Sequence, residues 1–118
     1  MEKHFDIYVN GSRQARKYAW SFAVNEGPAM IHMTSGEGKN PQALAMKNGA
    51  GEIEAVLKAL KWLKKQHASS ATFHYDYEGV KKWANGEMEP ENDFVRQYVE
   101  LISPELSWLE FVKKDVKR

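Results

Sequence analysis

Three polar residues stand at the ends of predicted secondary-structure elements, and they are the main candidates for chemistry. Asn10 follows a predicted strand, Glu52 lies near the start of a predicted helix, and Asp76 follows another strand. Each has an ordinary structural interpretation: Asn10-Gly11 is a common hairpin turn, Glu52 complements a helix dipole, and Asp76 is a typical helix cap. Together they would lie at the ends of adjacent elements on one side of a sheet, which favours a shared site.

Other catalytic and metal-binding groups are sparse. The chain has no cysteine, which excludes disulfides and thiolate metal sites. Its four histidines lack the spacing of a zinc-binding helix; they are His4, His32, His67 and His74. Asn10-Gly11-Ser12 matches a glycosylation acceptor, but we expect a cytoplasmic chain, in which it would not be used.

Length and composition indicate one ordinary globular domain. A chain of 118 residues suits a single core, and we expect the domain to span residues 1–118. The formal net charge of +1 provides no global positive field that would point to nucleic acid. Neither a membrane span nor a signal peptide is predicted from the apolar runs, so we expect a cytoplasmic protein with no membrane partner.

Hydrophobic periodicity predicts an α/β fold. Alternating apolar residues predict strands at 4–9, 18–24, 29–34, 71–75 and 106–112. Residues 35–49 are rich in Gly, Asn and Ser, which predicts a loop with a short helical piece at 41–47. Helices are predicted at 50–66, 77–84 and 91–102, with Pro90 in the first turn of the last. Short turns between the first three strands predict an antiparallel meander, and helical crossovers predict parallel pairing of the last two. The expected architecture is a five-stranded mixed sheet with helices packed on it and no helix after the last strand.

Three stretches, in this order, resemble type 1 ribonuclease H. Asn10-Gly11-Ser12 stands where that family has Asp-Gly-Ser at the end of its first strand. The stretch 48–52, which reads Asn-Gly-Ala-Gly-Glu, resembles the opening of the family's first helix, and 73–76, Phe-His-Tyr-Asp, resembles the end of its fourth strand. The last two stretches are most similar to bacterial ribonuclease H domains associated with viroplasmin-like modules, and the sequence contains no such module.

The resemblance implies a ribonuclease H-like fold and hydrolysis of the RNA strand of an RNA–DNA hybrid. In that family two Mg²⁺ ions hold the scissile phosphate, and four carboxylates hold the ions because magnesium prefers anionic oxygen. Glu52 and Asp76 would then be catalytic residues and metal ligands, with Mg²⁺ or Mn²⁺ as the cofactor of an active protein. Asn10 stands at the position of the family's first Asp. Glu54 would face away from Glu52, since two positions on a helix are about 200° apart, and we expect it to be solvated.

The sequence departs from the family pattern at the metal site. Asn10 brings a neutral amide where the family has a bridging carboxylate. The chain ends before the family's final helix, which carries the fourth Asp, and it lacks the loop with the family's catalytic His. Asp115 falls near the start of that loop and is a candidate partial substitute as a metal ligand. We therefore expect a degenerate site.

The resemblance also suggests residues that would contact nucleic acid. Asn48 resembles a position that reads the RNA minor groove, with Gly11 and Ser12 beside it. Trp83 resembles a position near the DNA strand, where an aromatic ring can stack, although packing of a short helix is the alternative role. The acidic segment 86–93 would instead repel a phosphate backbone.

The leading hypothesis is a catalytically degenerate ribonuclease H-like domain that binds nucleic acid, such as an RNA–DNA hybrid, or binds protein. The alternative is a weakly active, metal-dependent ribonuclease H using Glu52, Asp76 and Asn10. A third hypothesis is an assembly module, in which the sheet face left open by the missing helix binds a partner or a second copy.

Overall fold

Alternation of apolar and polar residues produces the first three strands. A computed structural model describes residues 2–46 and 49–114, and in it β1 spans His4–Arg13, β2 spans Tyr18–Glu26 and β3 spans Ala29–Gly38. The apolar positions of β1 and β2 are buried, whereas their alternate positions are more exposed. One face of this meander therefore belongs to the core.

The remaining elements are two pairs of α-helices, each followed by a strand. The helices are α1 (Pro41–Ala45), α2 (Ala50–Lys65), α3 (Gly79–Ala84) and α4 (Asp93–Ile102), and the strands are β4 (Ser70–Tyr75) and β5 (Leu109–Lys113). A 3-10 helix at Ser103–Trp108 connects α4 to β5. None of the described helices is long and apolar enough to span a lipid bilayer.

The five strands form one sheet in the order β3-β2-β1-β4-β5. β1 pairs antiparallel with β2, and β2 pairs antiparallel with β3. β4 pairs in parallel with both β1 and β5. The predicted mixed sheet, three antiparallel strands followed by two parallel ones, is confirmed. Within the described residues, no helix follows β5.

The helices pack against one face of the sheet. Helix α2 lies across β1 and β2, and α4 packs against the other three helices. The core between the layers includes Ile7, Val9, Ile53 and Phe73, all fully buried. We call the opposite surface of the sheet the open face, because the described residues leave large apolar side chains exposed there, among them Met33 at 62%.

Four local predictions are wrong. The loop does not begin at residue 35, because β3 continues to Gly38 by pairing with β2. Asn10-Gly11-Ser12 does not end the first strand as a hairpin turn; β1 continues to Arg13 because these residues pair with β2. The last strand begins at Leu109 rather than residue 106, since the 3-10 helix occupies the intervening residues. Pro90 is not in the first turn of α4, which begins at Asp93 after the cap residue Asn92.

Candidate functional site

Two glycines bring the end of β1 against the start of α2. A Cβ on Gly11 would lie 2.6 Å from the Cα of Gly51, and a Cβ on Gly51 would collide with the carbonyl oxygen of Ala19. The strand and the helix therefore meet backbone to backbone, which only glycine permits. This close approach places the first turn of α2 beside the end of β1.

Glu52 is held at this junction by backbone hydrogen bonds. Its side chain is buried, with 7% of the residue exposed. The Oε1 atom accepts hydrogen bonds from the backbone N–H of Asp76 at 2.9 Å and of Tyr77 at 3.1 Å. A buried carboxylate needs such donors to offset its lost hydration. The contact also fixes the end of β4 relative to the start of α2.

Glu52 and Asp76 line the same cleft, which we call the carboxylate cleft. It has a volume of about 340 Å³, and its lining also includes Gly11, Ser12 and Tyr77. Asp76 is exposed, whereas Glu52 is buried. The structure thus brings together the two acidic residues that the sequence singles out.

Asn10 lines a neighbouring cleft. This second cleft, also about 340 Å³, shares Gly11 and Ser12 with the carboxylate cleft. Asn10 is exposed, since it alternates with the buried Val9 and pairs with Ser21 of β2. Its Oδ1 atom accepts a hydrogen bond from the N–H of Gly11 at 3.0 Å. The amide therefore borders the carboxylates but lies on the open face.

Within the described residues, these donors supply less negative charge than a pair of Mg²⁺ ions would need. Two divalent ions bring four positive charges, whereas Glu52 and Asp76 together supply two negative charges and Asn10 supplies none. One oxygen of Glu52 already accepts two N–H groups, which reduces its strength as a ligand. Among residues 2–46 and 49–114, no group of three or more acidic, histidine or cysteine side chains is placed to hold a metal. We therefore derive no metal-dependent step from this cleft.

The other residues that the resemblance singles out fall into three groups by their position in the structure. Gly11 and Ser12 lie in the carboxylate cleft. Asn48 and Asp115 fall outside the described residues. Trp83 is 2% exposed and its Nε1 donates to the carbonyl oxygen of Glu89 at 3.0 Å, so its ring has no free face on which a base could stack. The structure supports the packing role for Trp83.

Sequence reasoning missed a polar contact at the rear of the carboxylate cleft. Tyr18 lines the cleft, and its hydroxyl donates to Oε1 of Glu54 at 2.8 Å. Burial and the neighbouring Glu54 carboxylate raise the pKa of Tyr18 well above its usual value. Glu54 is thus a hydrogen-bond acceptor for a core tyrosine rather than a simply solvated residue. The two residues are 36 positions apart in the sequence, so no local pattern could show this contact.

Sequence analysis also missed the role of Tyr77. Tyr77 forms a wall of the carboxylate cleft, and a Cβ on Gly49 would collide with its ring. Burial raises the pKa of Tyr77, with a smaller contribution from the charge of Glu91. Arg13, the last residue of β1, also lines the cleft, and its Nε and Nη2 atoms donate to the carbonyl oxygen of Leu44 at 3.2 and 2.5 Å.

His74 lies on the open face and not in the carboxylate cleft. Its Nε2 atom is 2.8 Å from Oδ1 of Asp6. The Tyr8 ring stacks on the imidazole, with 4.3 Å between the ring centroids and 9° between their planes. These three residues belong to neighbouring strands β1 and β4, so the sheet register itself brings them together.

Comparisons with known proteins identify the architecture. No protein-family model matches the chain, and no curated protein matches it. Among solved structures, ribonuclease H1 from Halobacterium salinarum has a TM-score of 0.70 at 16% identity, covering 98% of this chain and 86% of that one. LC11-RNase H1 in complex with an RNA/DNA hybrid has a TM-score of 0.74 at 16% identity, covering 93% and 84%.

The N-terminal ribonuclease H domain of Rv2228c from Mycobacterium tuberculosis is a third structural match. Its TM-score is 0.73 at 11% identity, and the alignment covers 99% of this chain and 84% of that domain's chain. At such low identities the shared property is the fold, including the mixed sheet and the order of its helices. The chain therefore has the ribonuclease H-like fold.

Proposed function

We propose that this chain is a degenerate ribonuclease H-like domain that binds RNA–DNA hybrids at the carboxylate cleft without cleaving them efficiently. The observation that carries the proposal is the neutral Asn10 amide, which lies beside two acidic residues, Glu52 and Asp76, within residues 2–46 and 49–114. Hybrid binding draws support from LC11-RNase H1, whose structure contains an RNA/DNA hybrid and has the same fold.

The shape of the cleft favours the close approach of a nucleic-acid backbone. Gly11 and Gly51 leave no side chain at the junction of β1 and α2, and the exposed Ser12 adds a hydroxyl that can hydrogen-bond to a sugar or phosphate. Such contacts require neither bound metal nor a full set of carboxylates. Hybrid binding in this protein therefore does not depend on the groups that cleavage requires.

The test is cleavage and binding of a labelled RNA–DNA hybrid in Mg²⁺ and in Mn²⁺. We expect the unchanged chain to bind the hybrid and to produce no more cleavage than Glu52→Gln. Asn10→Asp should gain Mn²⁺-dependent cleavage, because it adds the missing charge beside Glu52 and Asp76, whereas the matched surface change Asn85→Asp should gain none. An Asn10→Asp variant that stays inactive would place the defect elsewhere in the donor set.

The same assay decides the alternative, a weakly active ribonuclease H. The buried Glu52 carboxylate favours that alternative, because two backbone N–H groups hold it in a fixed position at the cleft, as a catalytic carboxylate must be held. Cleavage by the unchanged chain that Glu52→Gln abolishes would establish a working site and overturn our proposal. Absence of hybrid binding at low salt would overturn its binding component.

The open face supports a second candidate function, protein interaction. It exposes Met30 at 60%, Met33 at 62%, Tyr8 at 38% and Val112 at 39%. These side chains are distributed from β3 to β5 across one sheet face, and exposed apolar side chains on such a face can form an interaction surface. The partner of this candidate function is another protein or a second copy of the chain.

A further inference from the structure

A second concave surface lies on the helix side of the sheet, away from the carboxylate cleft. We call it the lysine groove; it runs between α2 and the outer strands β2 and β3 and has a volume of about 220 Å³. Its lining includes Trp20, His32 and Trp62, together with three lysines, Lys58, Lys61 and Lys65. The two sites are separated along α2, because Lys58 follows Glu52 by six positions, which is about 9 Å along a helix.

The floor of the groove is a set of packed flat rings. His32 and Trp62 stack, with 5.2 Å between their centroids and 18° between their planes. Phe5 supports Trp62 from below in an edge contact at 5.2 Å. Trp20, His32 and Trp62 are each only partly buried. The rings are therefore held in place by the core and still present surface to the groove.

The α2 wall of the groove is positively charged. Lys58, Lys61 and Lys65 lie at spacings of three and four residues, so they share one helix face over about 10 Å. Lys61 and Lys65 are exposed and form no ion pair among residues 2–46 and 49–114. The Nζ atom of Lys58 lies 5.5 Å from the centroid of the Trp20 ring and 3.7 Å from Oε2 of Glu54, so Lys58 is the one of the three that is already paired. No acidic residue is among those that line the groove.

We propose that the lysine groove binds single-stranded nucleic acid, with bases against the rings of Trp20, His32 and Trp62 and phosphates at the lysines. Flat aromatic surfaces stack with bases of any sequence, while a row of cations follows the backbone. An acidic peptide would satisfy the lysines but would leave the ring surface without a matching flat partner. The groove is separate from the carboxylate cleft, so this inference does not depend on hybrid binding there.

The test is fluorescence anisotropy of labelled twelve-nucleotide strands of deoxythymidine and of uridine at low salt. Lys61→Glu should weaken binding on the order of tenfold, because it replaces a phosphate contact by repulsion. Lys81→Glu is the matched control, since Lys81 is an exposed lysine within another helix, and it should bind like the unchanged chain. Circular dichroism of each variant checks that it is folded.

Two further arms separate phosphate contacts from stacking. Lys61→Glu combined with Lys65→Glu should reduce the slope of log K against log salt by about 1.4, the amount expected when two phosphate contacts to a single strand are lost. An abasic strand with the same phosphates should bind on the order of tenfold more weakly than the thymidine strand, because it lacks bases to stack. Binding of the thymidine strand should also quench tryptophan fluorescence.

Four results would each overturn the proposal. They are no binding of single strands by the unchanged chain, equal losses for Lys61→Glu and Lys81→Glu, equal affinity for the thymidine and abasic strands, and equal affinity for a polyglutamate peptide. Hybrid binding that depends on the carboxylate cleft is measured with a different ligand and different variants. The failure of one proposal can therefore be distinguished from the failure of the other.

Discussion

At the scale of single residues, the contact between Gly11 and Gly51 controls the geometry of the carboxylate cleft. We predict that Gly51→Ala destabilises the fold by about 1–3 kcal/mol, because the added methyl collides with the Ala19 carbonyl and forces the strand and helix apart. It should also weaken hybrid binding. Chemical denaturation and anisotropy measure the two effects.

Gly86→Ala is the control for that change. Gly86 has a φ of +83° and no neighbour within 4 Å of an added Cβ. Its substitution should cost about 1–2 kcal/mol through backbone conformation alone and leave hybrid binding unchanged. Equal binding by both alanine variants would show that the close approach at Gly51 does not shape the cleft.

Burial of Tyr98 makes the stability of the fold depend on pH in the alkaline range. It is fully buried, its hydroxyl donates to the Val80 carbonyl at 2.7 Å, and burial raises its pKa far above the usual value of 10.0. Above pH 10 the unfolded chain loses this proton while the folded chain keeps it, so stability falls as pH rises. We predict a contribution of about 1.4 kcal/mol per pH unit.

Urea unfolding between pH 9 and 11 measures this effect. Tyr98→Phe should be less stable at pH 8, since the Val80 carbonyl loses its donor, but its stability should fall less steeply above pH 10. The difference between the two slopes isolates Tyr98, because all other groups titrate in both proteins. Identical slopes would contradict the assignment.

The sequence pointed to Glu52 and Asp76 because their neighbours resemble family motifs, and the structure brings these two residues into one cleft. The contact of Tyr18 with Glu54 and the burial of Trp83 depend on parts of the chain distant in sequence. Motif resemblance predicts which residue types meet at the ends of β1, α2 and β4. It does not show which side chains the rest of the fold covers.

At the scale of elements, the sequence pattern predicted the five strands and the four α-helices but not the 3-10 helix, and the other errors are at the ends of elements. The start of α4 is an example: Oδ1 of Asn92 accepts the N–H of Val95 at 2.9 Å, and Oε1 of Gln42 accepts the N–H of Phe94 at 2.9 Å. Gln42 is 52 positions away from Phe94. A cap supplied from α1 cannot be recognised in the sequence around Pro90.

We predict that Asn92→Ala destabilises the protein by about 1 kcal/mol, because the first turn of α4 loses its N-terminal cap. Asn92→Ser keeps a capping oxygen and should cost much less, which makes it the matched control. Thermal or urea unfolding measures both. Equal losses in the two variants would mean that the packing of Asn92, and not its cap, stabilises the helix.

At the scale of the whole molecule, the distribution of the helices leaves the sheet with one covered and one open face. If a second copy binds the open face, the monomer–dimer equilibrium should depend on Met33. We predict that Met33→Lys shifts sedimentation toward the monomer, because it places a charge in the apolar contact.

Leu101→Lys is the control for this whole-molecule prediction. Leu101 is 47% exposed but lies on α4, away from the open face, so its substitution should leave the oligomeric state unchanged. A chain that sediments as a monomer at every concentration would exclude a second copy as the partner. The same result for both lysine variants would place the contact elsewhere.

The outer strand β3 also determines how this protein behaves when it is concentrated. Its outer edge carries unpaired backbone groups, which form a template for strand addition and aggregation. The register shift between Val24 and Asn25 interrupts regular pairing near Met30, so the regular part of β3 is confined to residues 32–38. That segment contains Gly36 and Gly38, which weaken a strand. A strand from another molecule could therefore pair regularly only along residues 32–38, and the bulge interrupts strand addition toward the β2–β3 turn.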